Sequence, residues 1–149
     1  MNHAGIDIAN ETFEICLRRG DGIVCRGFNN AQAGHRQAIR WLRYRGQRAR
    51  VCLEATGIYH LQLALALSQA EGIEVMVLNP RASRRFAEAQ MRRAKTDKVD
   101  AAMLLSYLER MPFRPWQAPS SAVLELQSRA HRLSQLQKEI IREQARLHA

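Results

Sequence analysis

Apolar runs long enough to cross a membrane are missing from this 149-residue sequence. No stretch of about 18 apolar residues occurs, and the N-terminus MNHAGID lacks the basic-then-apolar order of a secretion signal. Aromatic residues are also few, at 6%, although 46% of the chain is apolar, as in a globular domain. The sequence therefore predicts a cytoplasmic protein with no membrane segment.

Cysteine is scarce as well, and its few copies stand singly in apparent strands, at Cys16, Cys25 and Cys52. An odd count without a C-x-x-C pair argues against a disulfide framework in a cytosolic chain, so we expect small core residues. The histidines show no ligand-like spacing with one another or with cysteine, which leaves zinc without support. Any metal ion should therefore be held by oxygen ligands.

Acidic residues are outnumbered, at 14 against 23 basic residues, and the net charge is +9. Nearly all the bases are arginine, whose planar guanidinium makes bidentate contacts with phosphate. Residues 81–95, RASRRFAEAQMRRAK, have few apolar positions and are expected to form either a solvated helix or a mobile basic arm. The predicted nucleic-acid contacts are Arg81, Arg84, Arg85, Arg92, Arg93, Lys95 and Lys98.

The order of the predicted elements indicates a mixed sheet. Three strands come first, in AGIDIA, TFEICL and GIVCRGF, with a GDG turn between the second and third. A helix ended by Gly46, the strand ARVCLEA, a helix capped by Thr56, the strand IEVMVLNP and the basic segment follow. This succession predicts an α/β fold whose five-stranded sheet carries helices on both faces.

We interpret residues 1–111 as the main domain. The residues that follow have a different composition and pattern. Three of the four prolines lie in residues 112–119, which predicts a linker. Residues 120–149 form a predicted helix with an apolar residue every seven positions, at Leu126, Leu133, Ile140 and Leu147. A weak coiled coil and a helix hairpin without its partner both remain open, and the uncapped end leads us to expect a fragment.

Two carboxylates stand three residues apart in the segment KTDKVDA, at Asp97 and Asp100. Acids in the first turn of a helix commonly cap free N–H groups, so helix punctuation is one interpretation. If Thr96 or Asp97 caps the helix, both acids also extend its core-facing stripe by one turn. That stripe is Ala101, Leu104, Leu105 and Leu108.

Two strands each carry a further acid where a sheet should be apolar. Asp7 lies between Ile6 and Ile8 in the first strand, and Glu54 ends the fourth strand. If those strands pair, the two acids lie side by side under the helix that bears the other two. Four gathered carboxylates repel one another unless divalent cations neutralise them, and oxygen ligands suit Mg²⁺ or Mn²⁺. The sequence therefore predicts divalent ions bound by Asp7, Glu54, Asp97 and Asp100.

The motifs around these acids resemble a known family. Asp7 in GIDIANETF, Glu54 in CLEATGIYH, and Asp97 and Asp100 in KTDKVDA are similar to the DEDD transposases of bacterial insertion sequences. These are the bridge-RNA-guided recombinases that include the pilin-gene invertase, and the likeness covers nearly the whole chain. It implies an N-terminal RuvC-like domain of ribonuclease H-like fold, followed by the start of a helical coiled-coil region.

The resemblance also implies a chemistry. DNA would be recombined at sites selected by a structured guide RNA, and the four acids would hold magnesium. The subunits would act in pairs, as a dimer or tetramer. A serine nucleophile would come from a C-terminal domain that these residues do not contain, so complete recombination is not expected of them.

Two interpretations from other functional classes remain. A sugar-kinase or actin-like ATPase also begins with a strand Asp, but it needs a second lobe and another glycine-rich phosphate loop. A catalytically silent DNA- or RNA-binding module would explain the arginines without using any acid. A magnesium titration separates that module from a nuclease.

Overall fold

The computed structural model describes residues 1–90 and 97–147, apart from the side chains of residues 97–99. Four residues with predicted roles lie outside this part: the nucleic-acid contacts Arg92, Arg93 and Lys95, and the helix cap Thr96. The side chain of Lys98, another predicted contact, also lies outside it. The chain divides into two compact units, Met1–Trp116 and Gln117–Ala149. Of the helices that the structure describes, none combines the length and apolarity needed to cross a membrane.

The first unit is built on the five-stranded mixed sheet that the sequence predicts. Its strands are β1 (Asn2–Ile8), β2 (Thr12–Arg19), β3 (Gly22–Asn29), β4 (Ala49–Glu54) and β5 (Ile73–Leu78). They lie in the order β3-β2-β1-β4-β5, so β1 is central. β1 and β3 run antiparallel to β2, while β4 is parallel to both β1 and β5.

Helices cover both faces of the sheet, as predicted. They are α1 (Gln32–Leu42), α2 (Tyr59–Gln69), α3 (Pro80–Ala89) and α4 (Asp97–Arg110), with a short 3-10 helix at Tyr44–Gly46. Side chains of α1 and α2 share one core with Ala4, Ile6 and Ile8 of β1. Side chains of α3 and α4 share the other core with Cys52 of β4. Alternation along β1 then assigns Gly5 and Asp7 to the α3/α4 face.

The buried stripe predicted for α4 is confirmed. Its members are all at most 5% exposed, namely Ala101, Leu104, Leu105 and Leu108. For α3, the helical interpretation is correct and the mobile arm is wrong over Pro80–Ala89. Phe86 packs edge-on against Tyr107 of α4, with the ring centroids 5.0 Å apart, so this helix does bury a face.

The start of α2 differs from the prediction. The helix begins at Tyr59 and its N-cap is Ile58, with no side-chain capping bond. The Thr56 hydroxyl instead donates to the carbonyl oxygen of Glu54, 3.3 Å away. Gly57 adopts a left-handed conformation with φ 53°, which separates Thr56 from the helix. Thr56 is therefore a turn residue rather than a cap.

The expectation for the cysteines is wrong for two of the three. Cys16 and Cys25 form a disulfide. The antiparallel register places them directly opposite each other, with their Cα atoms 4.1 Å apart. Cys52 is free and fully buried, as expected. A residue count cannot reveal the pair, because it arises from the register of β2 and β3.

The segment after α4 returns to the sheet before the first unit ends. The backbone N–H of Trp116 donates to the carbonyl oxygen of Val75 over 2.7 Å, and the Trp116 side chain packs against the core. The second unit contains one long helix, α5 (Ser121–Leu147). The four residues of its predicted apolar stripe are all exposed, at 56–84% of their surface.

Candidate functional site

Asp7 and Glu54 lie next to each other at the carboxyl ends of two parallel strands. The β1–β4 register pairs Ile6 with Leu53, so the following residues are neighbours one strand spacing apart, about 4.8 Å. Both acids point to the α3/α4 face, because each lies two residues after a residue of that face, Gly5 in β1 and Cys52 in β4. Ligand sites of open α/β sheets occur at this end of the strands, where the strand order reverses direction. In this sheet, β2 and β3 lie on one side of β1 and β4 and β5 on the other, so the strand order reverses direction at β1.

Helix α4 reaches the sheet at Gly5, where only glycine fits. A Cβ atom at this position would overlap the carbonyl oxygen of Ala101 and the backbone nitrogen of Leu105. The two backbones are therefore in direct contact. This contact holds α4 against the centre of the sheet, two residues before Asp7.

The direction of α4 relative to β1 follows from a contact near the C-terminal end of the helix. Arg18 of β2 makes a bidentate ion pair with Glu109, with both N–O distances 2.7 Å. The hydrogen bond from Arg18 holds the pKa of Glu109 below its usual range, and the charge of nearby His3 acts in the same direction. The end of α4 thus lies near the start of β1, so the helix runs antiparallel to that strand.

The antiparallel course brings the first turn of α4 to the level of Asp7. From Ala101 back to Asp97 the helix rises about 6 Å, and from Gly5 to Asp7 the strand rises about 7 Å. Asp100 directly precedes Ala101 and is half-buried. The structure therefore brings the first turn of α4 to the same end of the sheet as Asp7 and Glu54.

The described side chains do not complete a metal cluster. Among residues 1–90 and 100–147, no three His, Cys, Asp or Glu side chains form a group that could hold an ion. The predicted ligand Asp97 is the first residue of α4, and its side chain lies outside this part of the chain. The donors that the structure does describe, Asp7, Glu54 and Asp100, are all carboxylates, which fit Mg²⁺ or Mn²⁺ in chemistry.

Glu54 has a buried partner on α3. The hydroxyl of Ser83, whose residue is only 2% exposed, donates to Oε2 of Glu54. Nearby, burial raises the pKa of the Cys52 thiol to about 12, with a second contribution from the negative charge of Glu54. This cysteine is therefore a neutral, buried thiol on the same face as Glu54.

A third strand acid lies across from Asp7. Glu14 of β2 is its antiparallel partner, so Glu54, Asp7 and Glu14 form a row across three adjacent strands on one face. A pocket of about 360 Å³ opens beside this row, lined by Asp7 and Glu14 together with Gly27, Thr12, Asn29 and Gln37. Open, polar-lined space therefore adjoins Asp7 on its β2 side.

The described members of the basic set lie on α3. Arg81, Arg84 and Arg85 are exposed, and they flank the buried Ser83 that reaches Glu54. The helix starts with Pro80, and the Asn79 side chain caps it by accepting from the Arg81 backbone N–H over 2.9 Å. Three guanidinium groups are thus carried by a helix that is fixed beside the acids.

Two residues beside these acids, Glu14 and Ser83, are not among those predicted from the sequence. Glu14 could have been found, because a short hairpin between β1 and β2 sets the register that pairs it with Asp7. Ser83 carried no sequence signal, since its contact depends on how α3 packs across the end of β4.

Comparison with known proteins adds independent evidence. A model of the IS110 DEDD transposases, described as "Transposase", matches residues 4–149. The pilin gene-inverting proteins of Moraxella bovis and Moraxella lacunata are each 32% identical over 151 residues, covering 96% of this chain. The chain spans 46% of the length of each of these relatives.

A solved structure shows the same fold. The chain is similar to Thermus thermophilus RuvC, determined in complex with a Holliday junction substrate, with a TM-score of 0.54 and 15% identity. The match covers 78% of this chain and 99% of the RuvC chain. The predicted RuvC-like, ribonuclease H-like fold is confirmed.

Proposed function

Because the chain belongs to the IS110 DEDD transposase family, we propose that its first unit is a catalytic domain that cuts and joins DNA phosphodiester bonds with divalent metal ions. The proposal rests on one observation: Asp7, Glu54 and the first turn of α4 lie close together at the carboxyl ends of β1 and β4. Carboxylate oxygens at this position are suited to Mg²⁺, and a bound Mg²⁺ would in turn attract a phosphate.

We assign the four acids to metal binding. Asp7, on the central strand between Glu54 and Glu14, is the acid best placed to be shared between two ions. Glu54, Asp97 and Asp100 complete the ligand set. When bound, Mg²⁺ or Mn²⁺ would activate the attacking hydroxyl and stabilise the leaving oxygen of an in-line displacement.

The chain's own residues would hold the nucleic acid. The exposed guanidinium groups of Arg81, Arg84 and Arg85 offer bidentate contacts to phosphates beside the acids. Arg92, Arg93, Lys95 and Lys98 would extend this basic set. Family membership implies DNA as the substrate, and we propose a structured guide RNA as the second nucleic-acid partner.

Complete recombination would need more than this site. We propose that the attacking hydroxyl belongs to a serine on a further domain, as the family resemblance implies. Paired subunits, joined through α5, would bring two such sites to the DNA. These properties concern the whole protein, of whose relatives the chain spans 46%.

The test is metal-dependent stability. Millimolar Mg²⁺ or Mn²⁺ should raise the melting temperature of the parent protein, because ions that bind only the folded site shift unfolding by mass action. Asp7→Asn should abolish the shift. Asp21→Asn, which removes an exposed acid in the β2–β3 turn, should leave it intact. If neither metal changed the melting temperature of the parent protein, a catalytically silent nucleic-acid-binding module would be favoured.

A further inference from the structure

Ser83 is one of only two polar or charged residues that are buried in the part of the chain described; the other is His35. Its hydroxyl lies against Oε2 of Glu54 and 3.0 Å from the carbonyl oxygen of Pro80. A hydroxyl has one hydrogen to donate, and an ionised carboxylate is the stronger acceptor. In the site with Glu54 charged, the hydrogen therefore points to Glu54.

The position of Ser83 is fixed by its helix. Asn79 caps the start of α3, and Phe86 anchors the next turn against Tyr107. Ser83 lies between these two contacts, so the helix that carries it is attached to its surroundings on both sides. Ser83 faces an acid on a different element, 29 residues away in sequence.

We propose that Ser83 is a positioning residue that orients Glu54 for metal binding. By holding Oε2, it restricts rotation of the Glu54 carboxylate and leaves the other oxygen available to a metal ion. Partners that orient metal-binding carboxylates in this way contribute strongly to affinity. The proposal rests on the metal-dependent function proposed above.

The test is a Mn²⁺ titration by calorimetry of the parent protein and two variants. Ser83→Ala should weaken Mn²⁺ binding about tenfold, since a ligating carboxylate loses its orienting partner. Ser68→Ala is the matched control. Ser68 also lies on a helix and donates to a carbonyl three residues back, that of Leu65, so the bond described for its hydroxyl is to the backbone and not to a carboxylate. The control should bind within about twofold of the parent. Equal affinity for the parent and Ser83→Ala would overturn the proposal.

A second, metal-free measurement separates this proposal from the proposed function. In a double-mutant cycle with Glu54→Ala, Ser83→Ala should lower the folding equilibrium constant about tenfold more when Glu54 is present, as expected of a hydrogen bond to a charged group. Additive effects would contradict the positioning role. A parent that shows the coupling but binds no Mn²⁺ would contradict the metal-dependent function and leave the Ser83–Glu54 contact established.

Discussion

Gly5 is the residue on which the geometry of the site depends most. Its missing side chain lets the backbones of β1 and α4 touch, and this contact sets the height of the first turn of α4 above Asp7. No other residue type could occupy the position without moving the helix. The stretch AGIDIA does not indicate this role, because a glycine two residues before Asp7 is equally compatible with a turn.

We predict that Gly5→Ala lowers the free energy of unfolding by about 3 kcal/mol or more, because a methyl group would overlap backbone atoms that cannot rotate away. Chemical denaturation monitored by circular dichroism measures the change. Gly22→Ala is the control, since its nearest contact would be the Arg19 carbonyl oxygen at 3.7 Å. It should stay within about 0.5 kcal/mol of the parent. A similar small effect at Gly5 would mean that α4 does not press on β1.

The positions of Asp7 and Glu54 in their strands could be predicted from the sequence, whereas contacts between elements distant in the chain could not. Asp7 and Glu54 stood out because a charged residue interrupts or ends an apolar strand. Ser83 and the Cys16–Cys25 pair depend on contacts between separate elements, and a linear pattern does not encode them.

Helix α3 is the element that joins the acids to the arginines. It buries Ser83 toward Glu54 while exposing Arg81, Arg84 and Arg85. The same helix therefore contacts Glu54 on its buried side and presents positive charge on its exposed side. Composition predicted the charge of this segment but underestimated its packing, because Phe86 is the one large apolar side chain in the helix.

We predict that duplex DNA binds with an affinity that falls steeply with salt, and that replacing Arg81, Arg84 and Arg85 together by alanine flattens this dependence. Each lost phosphate contact should reduce the log–log slope by roughly 0.9. Fluorescence anisotropy at several salt concentrations gives the slopes. Replacing Arg36, Arg40 and Arg45, which are exposed and lie in or just after α1, removes the same charge away from α3.

The α1-side variant should keep the slope of the parent. If both triple variants flattened it equally, the contacts would be spread over the whole surface rather than concentrated on α3.

Helix α5 carries an exposed apolar stripe. Leu126, Leu133, Ile140 and Leu147 recur every seven residues and expose 56–84% of their surface. Such a stripe favours association with another helix. Periodicity alone predicted the helix, and it does not identify the partner.

We predict a concentration-dependent dimer or higher oligomer that dissociates when Leu133 and Ile140 are both changed to aspartate, since two charges would be placed in the apolar seam. Sedimentation velocity at increasing loading concentration measures the association. Aspartates at the exposed polar positions Ser128 and Gln135 provide the control, and this variant should associate like the parent. A monomer at every concentration of the parent would refute the prediction.

At the scale of the whole molecule, the order of elements was the strongest predictor. Three consecutive strands followed by strand–helix alternation leave few arrangements, and the observed order β3-β2-β1-β4-β5 is among them. The meeting of Asp7 and Glu54 follows from the pairing of β1 with β4. The distances within the site could not be predicted, because they depend on where α4 contacts the sheet.

The central claim is that the carboxyl ends of β1 and β4, with the first turn of α4, hold divalent metal ions. A crystal soaked in manganese and measured for anomalous scattering tests it most directly. The account predicts a peak at ligand distance, about 2.1 Å for an ion of the magnesium type, from carboxylate oxygens of Asp7 and Asp100. Strong manganese peaks elsewhere on the protein, with none between these two acids, would contradict it.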